Sequence, residues 1–467
     1  MKKDLRTFLG EVRQAGSEYF VSVSKPVAPL YEPCIIQQKL AAAGRFPVIR
    51  CENMKGSDLP LVTNLMGSYS LLGFALGVDP NESKSNILQR FRERGANPRP
   101  VETVAREDAP VKQVVMTGDD IDLGKLPIVH HAEEDSGKYI SAGTLVVRDP
   151  DTGVINAGIY RHEVKGPDRV GCMFNPAHHA GYIYRRHREL NKPMEAVLFL
   201  GHHPAVSLGS QLRGTIDADE YEFMGGLLDE PLAVVAGETV DLPVPAYAEI
   251  VIEGILDPAV ETADGPFAEY TGFYGPTKDP IALMQITAIT MRSDAIYHDL
   301  DPAHPEHNLA GVLTFESVVF DSVKKLVPSV SAVHLPASGV YTFTAFIALK
   351  KAFPGEGMSA GLAAIAATSE IKIAVVVDDD IDIYNEEQVW WAVATHFEAD
   401  TGLAVIPNAV GSHLNPSAYG EVRTEKGPMN TKMIIDATRP ATLPFATRIR
   451  PHRETWDRIR LEDYIDG

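Results

Sequence analysis

Residues 139–164 read YISAGTLVVRDPDTGVINAGIYRHEV. Two apolar runs flank the stretch Asp149-Pro150-Asp151-Thr152-Gly153, a pattern that predicts a β-hairpin. The second run also carries Asn156, Arg161 and His162. Side chains alternate faces along a strand, so Asn156, Tyr160 and His162 are expected on one face and Ile155, Ile159 and Arg161 on the other. Those polar groups either decorate an exposed face or converge on one site.

Outward from the hairpin, AVLFLG, EPLAVVAG, AEIVIEGIL and IALMQITAITMR read as further strands. A single helix interrupts them, DADEYEFMGGLLDE, with Phe223, Met224, Leu227 and Leu228 spaced for a buried face. Many strands and few helices predict a barrel or sandwich over residues 116–305. Residues 1–115 mix helix and strand, and LRTFLGEVRQAG places Leu5, Phe8, Leu9 and Val12 on one helical face. Residues 306–467 alternate the helical LAAIAATSE, the strand IKIAVVVDDD and the helical EEQVWWAVATHF, an open α/β layer. The terminal ETWDRIRLEDYIDG reads as a helix that docks on a neighbouring subunit. The expected fold class is mixed α/β.

A chain of 467 residues accommodates more than one core. Its formal net charge of −20 argues against nucleic acid as a partner, because phosphate backbones select basic surfaces. No apolar run is long enough for a membrane span. Cys34, Cys51 and Cys172 are too few and too scattered for a disulfide framework, and a cytoplasmic protein is expected.

Several polar groups could carry chemistry. His178 and His179 precede a helical YIYRRHREL, and Glu220 lies in the first turn of another helix, where a carboxylate suits the dipole in any case. ETADGPFAEYTGFYGP sets Asp264 and Glu269 around a Gly-Pro kink among Phe267, Tyr270, Phe273 and Tyr274, and carboxylates among aromatic rings suit proton transfer. HDLDPAHPEH holds His298, His304 and His307, on which a zinc-dependent hydrolase could be built. It contains no His-Glu-x-x-His helix, and two prolines forbid one there.

The run VINAGIYRHEVKGPDRVGCMFNPAHHAGYIYRR, followed in order by DEYEFMGGLL, VPAYAEIVIEG, DGPFAEYTGFYGP, HPEHNL, VVVDDDIDIYNEEQVWWAVATHF and TKMIIDATRP, resembles the UbiD family of (de)carboxylases over nearly the whole chain. The resemblance implies a central split β-barrel that binds prenylated FMN, flanked by an N-terminal α/β region and a C-terminal α/β oligomerisation domain. Asn156, His179 and Glu220 are then the ligands of Mn2+ (or Mg2+), with K+ alongside. Asn156, Ile159, Arg161, His179 and Lys432 are expected to contact the cofactor. Arg161, Asp264 and Glu269 would form the catalytic acid–arginine–acid network, and His304, His307, Asn308 and Phe315 the substrate pocket. Asp264 departs from the family's usual Glu, so its contact with Arg161 is expected to need a backbone shift or a water. The implied reaction is reversible non-oxidative decarboxylation of an α,β-unsaturated or (hetero)aromatic acid, and an apolar Phe315 favours a monocarboxylate over a diacid. Implied partners are that acid, CO2, a flavin prenyltransferase that supplies the cofactor, and further copies of the chain as a homodimer or homohexamer. A non-catalytic flavin-binding protein is the competing reading of the same resemblance.

Overall fold

The computed structural model describes residues 2–176, 178–418, 429–442 and 444–465. Its centre is the expected hairpin, in which strand Thr144–Arg148 pairs antiparallel with Ile155–Ile159. The turn closes where the Asp149 N–H donates to the Val154 carbonyl and the Gly153 N–H to the Asp149 carbonyl, both at 2.9 Å. The hairpin belongs to a nine-stranded antiparallel sheet. From one end its order is Tyr139–Ile140, His162–Gly166, Arg169–Cys172, Lys278–Met291, Ile250–Asp264, Met194–Leu200, Thr144–Arg148 and Ile155–Ile159. Val114–Thr117 adds to Lys278–Met291.

That order forces the sheet to roll. Ile159 and His162 are at most about 11 Å apart along the chain, yet they lie on strands that a flat sheet would separate by about 29 Å. The roll therefore brings the two ends together at Tyr160 and Arg161, and no ladder joins them. Alternate residues bury on different sides. Leu145, Val147, Ala196, Leu198, Ile250 and Ile252 share one core, while Val146, Val197, Phe199 and Val251 pack into another with the surrounding helices.

The N-terminal helix Leu5–Ala15 buries Leu5, Phe8, Leu9 and Val12, as its spacing predicts, and Asp4 with Thr7 forms its capping box. A four-stranded sheet follows, Phe20–Val23, Val48–Cys51, Leu61–Thr63 and Tyr297–His298. Its last strand comes from beyond the rolled sheet and delivers the chain to the helix Pro305–Leu326. The C-terminal five-stranded mixed sheet runs Val330–His334, Thr344–Leu349, Ile373–Asp378, Met429–Asp436 and Leu403–Val410. Val376 and Ile434 on this sheet join Leu309 and Leu313 of the long helix in the large core. Val375 and Val377 instead pack on Val389 of the helix Glu386–His396. No described helix is long and apolar enough to cross a membrane.

Candidate active site

Strand Ile155–Ile159 ends before Tyr160, and the next strand starts at His162. Regular alternation therefore stops at Ile159, and Tyr160 and Arg161 do not continue the two faces expected from the sequence. Arg161, 9% exposed, reaches Asp264 at the end of the strand Ile250–Asp264. Its Nε and Nη2 donate to the same Asp264 oxygen, Oδ2, at 3.0 and 2.5 Å. Its Nη1 donates to Glu269, and its guanidinium lies 4.8 Å from the centroid of the Phe267 ring. The shorter Asp264 thus makes the contact directly, and its buried Oδ1 has no partner among the described residues.

Two glycines make this arrangement possible. Gly265, at φ +84°, turns the chain between the acids in a conformation that L side chains rarely adopt. Gly275 leaves room for Glu269, since a Cβ there would lie 2.8 Å from Oε1. We predict that Gly275→Ala folds but pushes the carboxylate off Arg161. Turnover should fall about 10²-fold, the cost of a misplacement near 1 Å, as read by steady-state kinetics beside an unchanged circular dichroism spectrum.

Glu269 is 8% exposed, and burial raises its carboxyl above the ordinary value, against the pull of Arg161. The site therefore pairs a fixed cation with an acid disposed to keep its proton. Tyr139 stands behind it, with its hydroxyl accepting from the Gly265 N–H at 3.1 Å and its ring 4.4 Å from that of Phe267.

Asn156, His179 and Glu220 are brought together. Asn156 Nδ2 donates to Glu220 Oε1 at 2.8 Å, and the Ala157 N–H to Oε2 at 3.2 Å. His179 Nδ1 lies 3.8 Å from Glu220 Oε1. Glu220 opens the helix Glu220–Leu228 and His179 the helix His179–Glu189, so two positive helix ends frame the group. Two features fit a cation. Among the described residues, Asn156 Oδ1 is buried without a partner and the buried Glu220 has only His179 as an ion-pair partner. An amide oxygen, an imidazole and a carboxylate are a donor set for Mn2+ or Mg2+.

The pocket residues follow from the long helix. His307, Gly311 and Phe315 are spaced four apart and share one face of Pro305–Leu326, with the half-buried Asn308 beside them. The His307 ring packs 5.6 Å from Tyr270, the neighbour of Glu269, and burial lowers its pKa to about 4. It is a neutral ring whose Nδ1 is tied to the Pro302 carbonyl at 3.0 Å. His304 caps the helix through Nδ1, 3.2 Å from the Glu306 N–H. Ile159 closes its strand opposite Thr144, half-buried.

Two expectations change, and the contacts of Lys432 are now defined. His298, His304 and His307 do not gather as a metal triad. Among the described residues the metal-type grouping of His, Cys and carboxylate is a different one, and His304 and His307 each spend a ring nitrogen on backbone. Lys432 turns toward the end of the helix Glu356–Ala367, its ammonium 3.2 Å from the Ser369 carbonyl and 3.4 Å from that of Thr368. Phe315 is not a bare apolar wall, because the Arg213 guanidinium lies 3.8 Å from its ring centroid, so the argument for a monocarboxylate lapses. Arg213 and Tyr139 escaped the sequence reading because a lone arginine in a polar loop and a tyrosine opening a strand carry no local signal.

The chain matches the models of three successive domains named for 3-octaprenyl-4-hydroxybenzoate carboxy-lyase: the N-terminal domain over residues 17–91, the Rift-related domain over 102–305 and the C-terminal domain over 307–437. It is 34% identical to anhydromevalonate phosphate decarboxylase of Methanothermobacter thermautotrophicus, covering 83% of this chain and 88% of that protein. It is 32% identical to phenolic acid decarboxylase of Sedimentibacter hydroxybenzoicus, covering 94% and 92%. Among solved structures it resembles the UbiD-class enzyme HmfF from Pelotomaculum thermopropionicum in complex with FMN, with a TM-score of 0.91 and 37% identity over 99% of this chain and all of that one. An evolved dimeric form of that enzyme in complex with prFMN gives a TM-score of 0.87 at 35% identity, over 99% of this chain and all of that one. With all three domain models in order along one rolled sheet and its flanking layers, the chain belongs to the UbiD family of carboxy-lyases.

Proposed function

We propose that this carboxy-lyase catalyses reversible, non-oxidative loss of CO2 from an α,β-unsaturated or (hetero)aromatic carboxylic acid, using prenylated FMN. The observation that carries the reading is Arg161, held by Asp264 and Glu269 over Phe267 in a buried setting. Its guanidinium fork matches a carboxylate and orients it, while the two acids balance the buried cation. Loss of CO2 leaves an electron pair on an sp² carbon, and the flavin supplies the sink that no side chain offers. Glu269 then delivers its proton to the carbon that bore the carboxylate, and in carboxylation it takes that proton back. Phe267 and the half-buried Tyr270 shield the acid from water; desolvation holds the Tyr270 hydroxyl up at about 12, so it stays neutral. His307, His304, Asn308 and Phe315 line the ring pocket, and Arg213 offers a cation at its wall.

Asn156, His179 and Glu220 would hold Mn2+ (or Mg2+), with K+ nearby, against the cofactor phosphate. The HmfF complexes with FMN and prFMN support flavin binding by this fold. A flavin prenyltransferase would supply the cofactor in the cytoplasm. Exposed Ile449, Trp456, Leu461 and Tyr464 on the tail support a homodimer or homohexamer.

The test is anaerobic purification with and without a co-expressed flavin prenyltransferase, reading the absorbance and intact mass of the released flavin together with manganese content. Prenylated FMN with about one manganese per chain is expected, and Glu220→Gln should fold normally yet weaken manganese binding by at least about 100-fold. Metal without any flavin in both preparations would overturn the reading.

A further inference from the structure

A second buried group of metal-type side chains lies apart from the residues used above. Cys34 sits in the first turn of the helix Glu32–Ala42, His131 follows the bridge between Leu30 and His130, and Asp299 follows the strand Tyr297–His298. Each offers a ligand atom within 4.8 Å of the others. Their exposures are 1%, 5% and 1%. His131 Nε2 lies 3.0 Å from Asp299 Oδ1 and 3.2 Å from the Ser141 hydroxyl. Among the described residues, His131 Nδ1 and Asp299 Oδ2 have no hydrogen-bond partner, an expensive state for buried polar atoms.

Buried Asp135 and Asp301 adjoin the group, and among the described ion pairs neither meets a Lys or Arg, while Asp299 meets only His131. Asp135 accepts from the Ala132 and Ala268 N–H groups at 3.0 and 2.7 Å. Asp301 accepts from Gln38 and from the Ala303 N–H at 3.1 Å each. Carboxylates are not buried together without a compensating cation or proton.

We propose that Cys34, His131 and Asp299 bind a divalent transition-metal ion, Zn2+ by the chemistry of the donors. A thiolate, an imidazole and a carboxylate suit tetrahedral zinc, with water in the fourth position. Bond lengths of about 2.0–2.3 Å set tetrahedral donors about 3.3–3.8 Å apart, a spacing that small side-chain adjustments reach from donors lying within 4.8 Å of one another. Binding replaces the thiol proton, which leaves to water, and the ion's two charges neutralise the thiolate and Asp299. The site ties three distant parts of the chain together behind the catalytic acids. Asp135 holds Ala268, next to Glu269, and the Asp301 carbonyl holds the His304 N–H at the start of the long helix.

Co2+ alone is the probe, added to full-length protein stripped with chelator. Ligation by sulfur gives a thiolate-to-cobalt charge-transfer band, to which the Asn156, His179 and Glu220 site cannot contribute because it contains no sulfur. The band should reach its maximum at about one Co2+ per chain, persist in Glu220→Gln and Cys172→Ser, and vanish in Cys34→Ser. Where Cys34→Ser fails to fold, the wild-type protein answers instead. Zinc should protect the Cys34 peptide from alkylation in mild urea and leave the Cys172 peptide unchanged. Equal labelling of Cys34 with and without zinc, no band in folded protein, or a band that survives Cys34→Ser would overturn the assignment.

Discussion

Replacing Arg161 by methionine will abolish measurable decarboxylation and lower stability by about 3–5 kcal/mol, the usual result of leaving buried charge without its partner. Asp264 is fully buried and Glu269 nearly so, and both turn their oxygens to this guanidinium. Without it they must take up protons or repel each other, so the loss should be largest at alkaline pH. Arg161→Lys separates charge from geometry. Lysine keeps the charge but offers a point donor where the guanidinium spans two acids. It should retain most of the stability yet lose about 10²–10³-fold in kcat/KM, as expected when an electrostatic donor is displaced. Urea midpoints and steady-state kinetics on holoenzyme measure both effects. An Arg161→Met protein as stable and active as wild type would remove this residue from the mechanism.

The network explains what the sequence could and could not reveal. The hairpin was legible because Asp-Pro-Asp-Thr-Gly breaks two β-branched runs, and the first helix because Leu5, Phe8, Leu9 and Val12 repeat at helical spacing; both signals are local. Arg161 was misplaced by strand periodicity, because its position depends on how a nine-stranded sheet rolls rather than on its neighbours. Its acids lie 103 and 108 residues away, a distance that only family resemblance could bridge. Asn156, His179 and Glu220 were named by the same resemblance, and each alone looks like a solvated polar group. Lys432 was named from a motif match alone, which could not show that its ammonium lies beside the Ser369 carbonyl. Cys34, His131 and Asp299 come from unrelated segments with no shared motif, so nothing short of the folded chain could have joined them.

Glu269→Gln will keep the fold and the substrate carboxylate on Arg161 while decarboxylation falls by about 10²–10⁴-fold, the usual contribution of a positioned acid. Glutamine has nearly the same shape and can still accept from Arg161 Nη1, but it has no proton to give to the carbon that loses CO2. Exchange of that carbon's hydrogen for deuterium in the product should fall by a similar factor, because it needs the same carboxyl in both directions. The pH profile gives an independent reading. Burial raises Glu269 above its ordinary value, so the wild-type rate should fall as pH rises through that raised pKa. The residual rate of Glu269→Gln should lack that limb. Stability follows the same sign. The folded state holds the extra proton, so this group's contribution is fully present below the ordinary carboxyl pKa and is lost as pH rises through the raised one. Glutamine does not titrate, so the variant should gain on wild type in urea midpoint as the solution becomes alkaline. A variant with wild-type deuterium exchange and an unchanged pH profile would mean that another group delivers the proton, and would leave the chain's role closer to flavin binding than to catalysis by this acid.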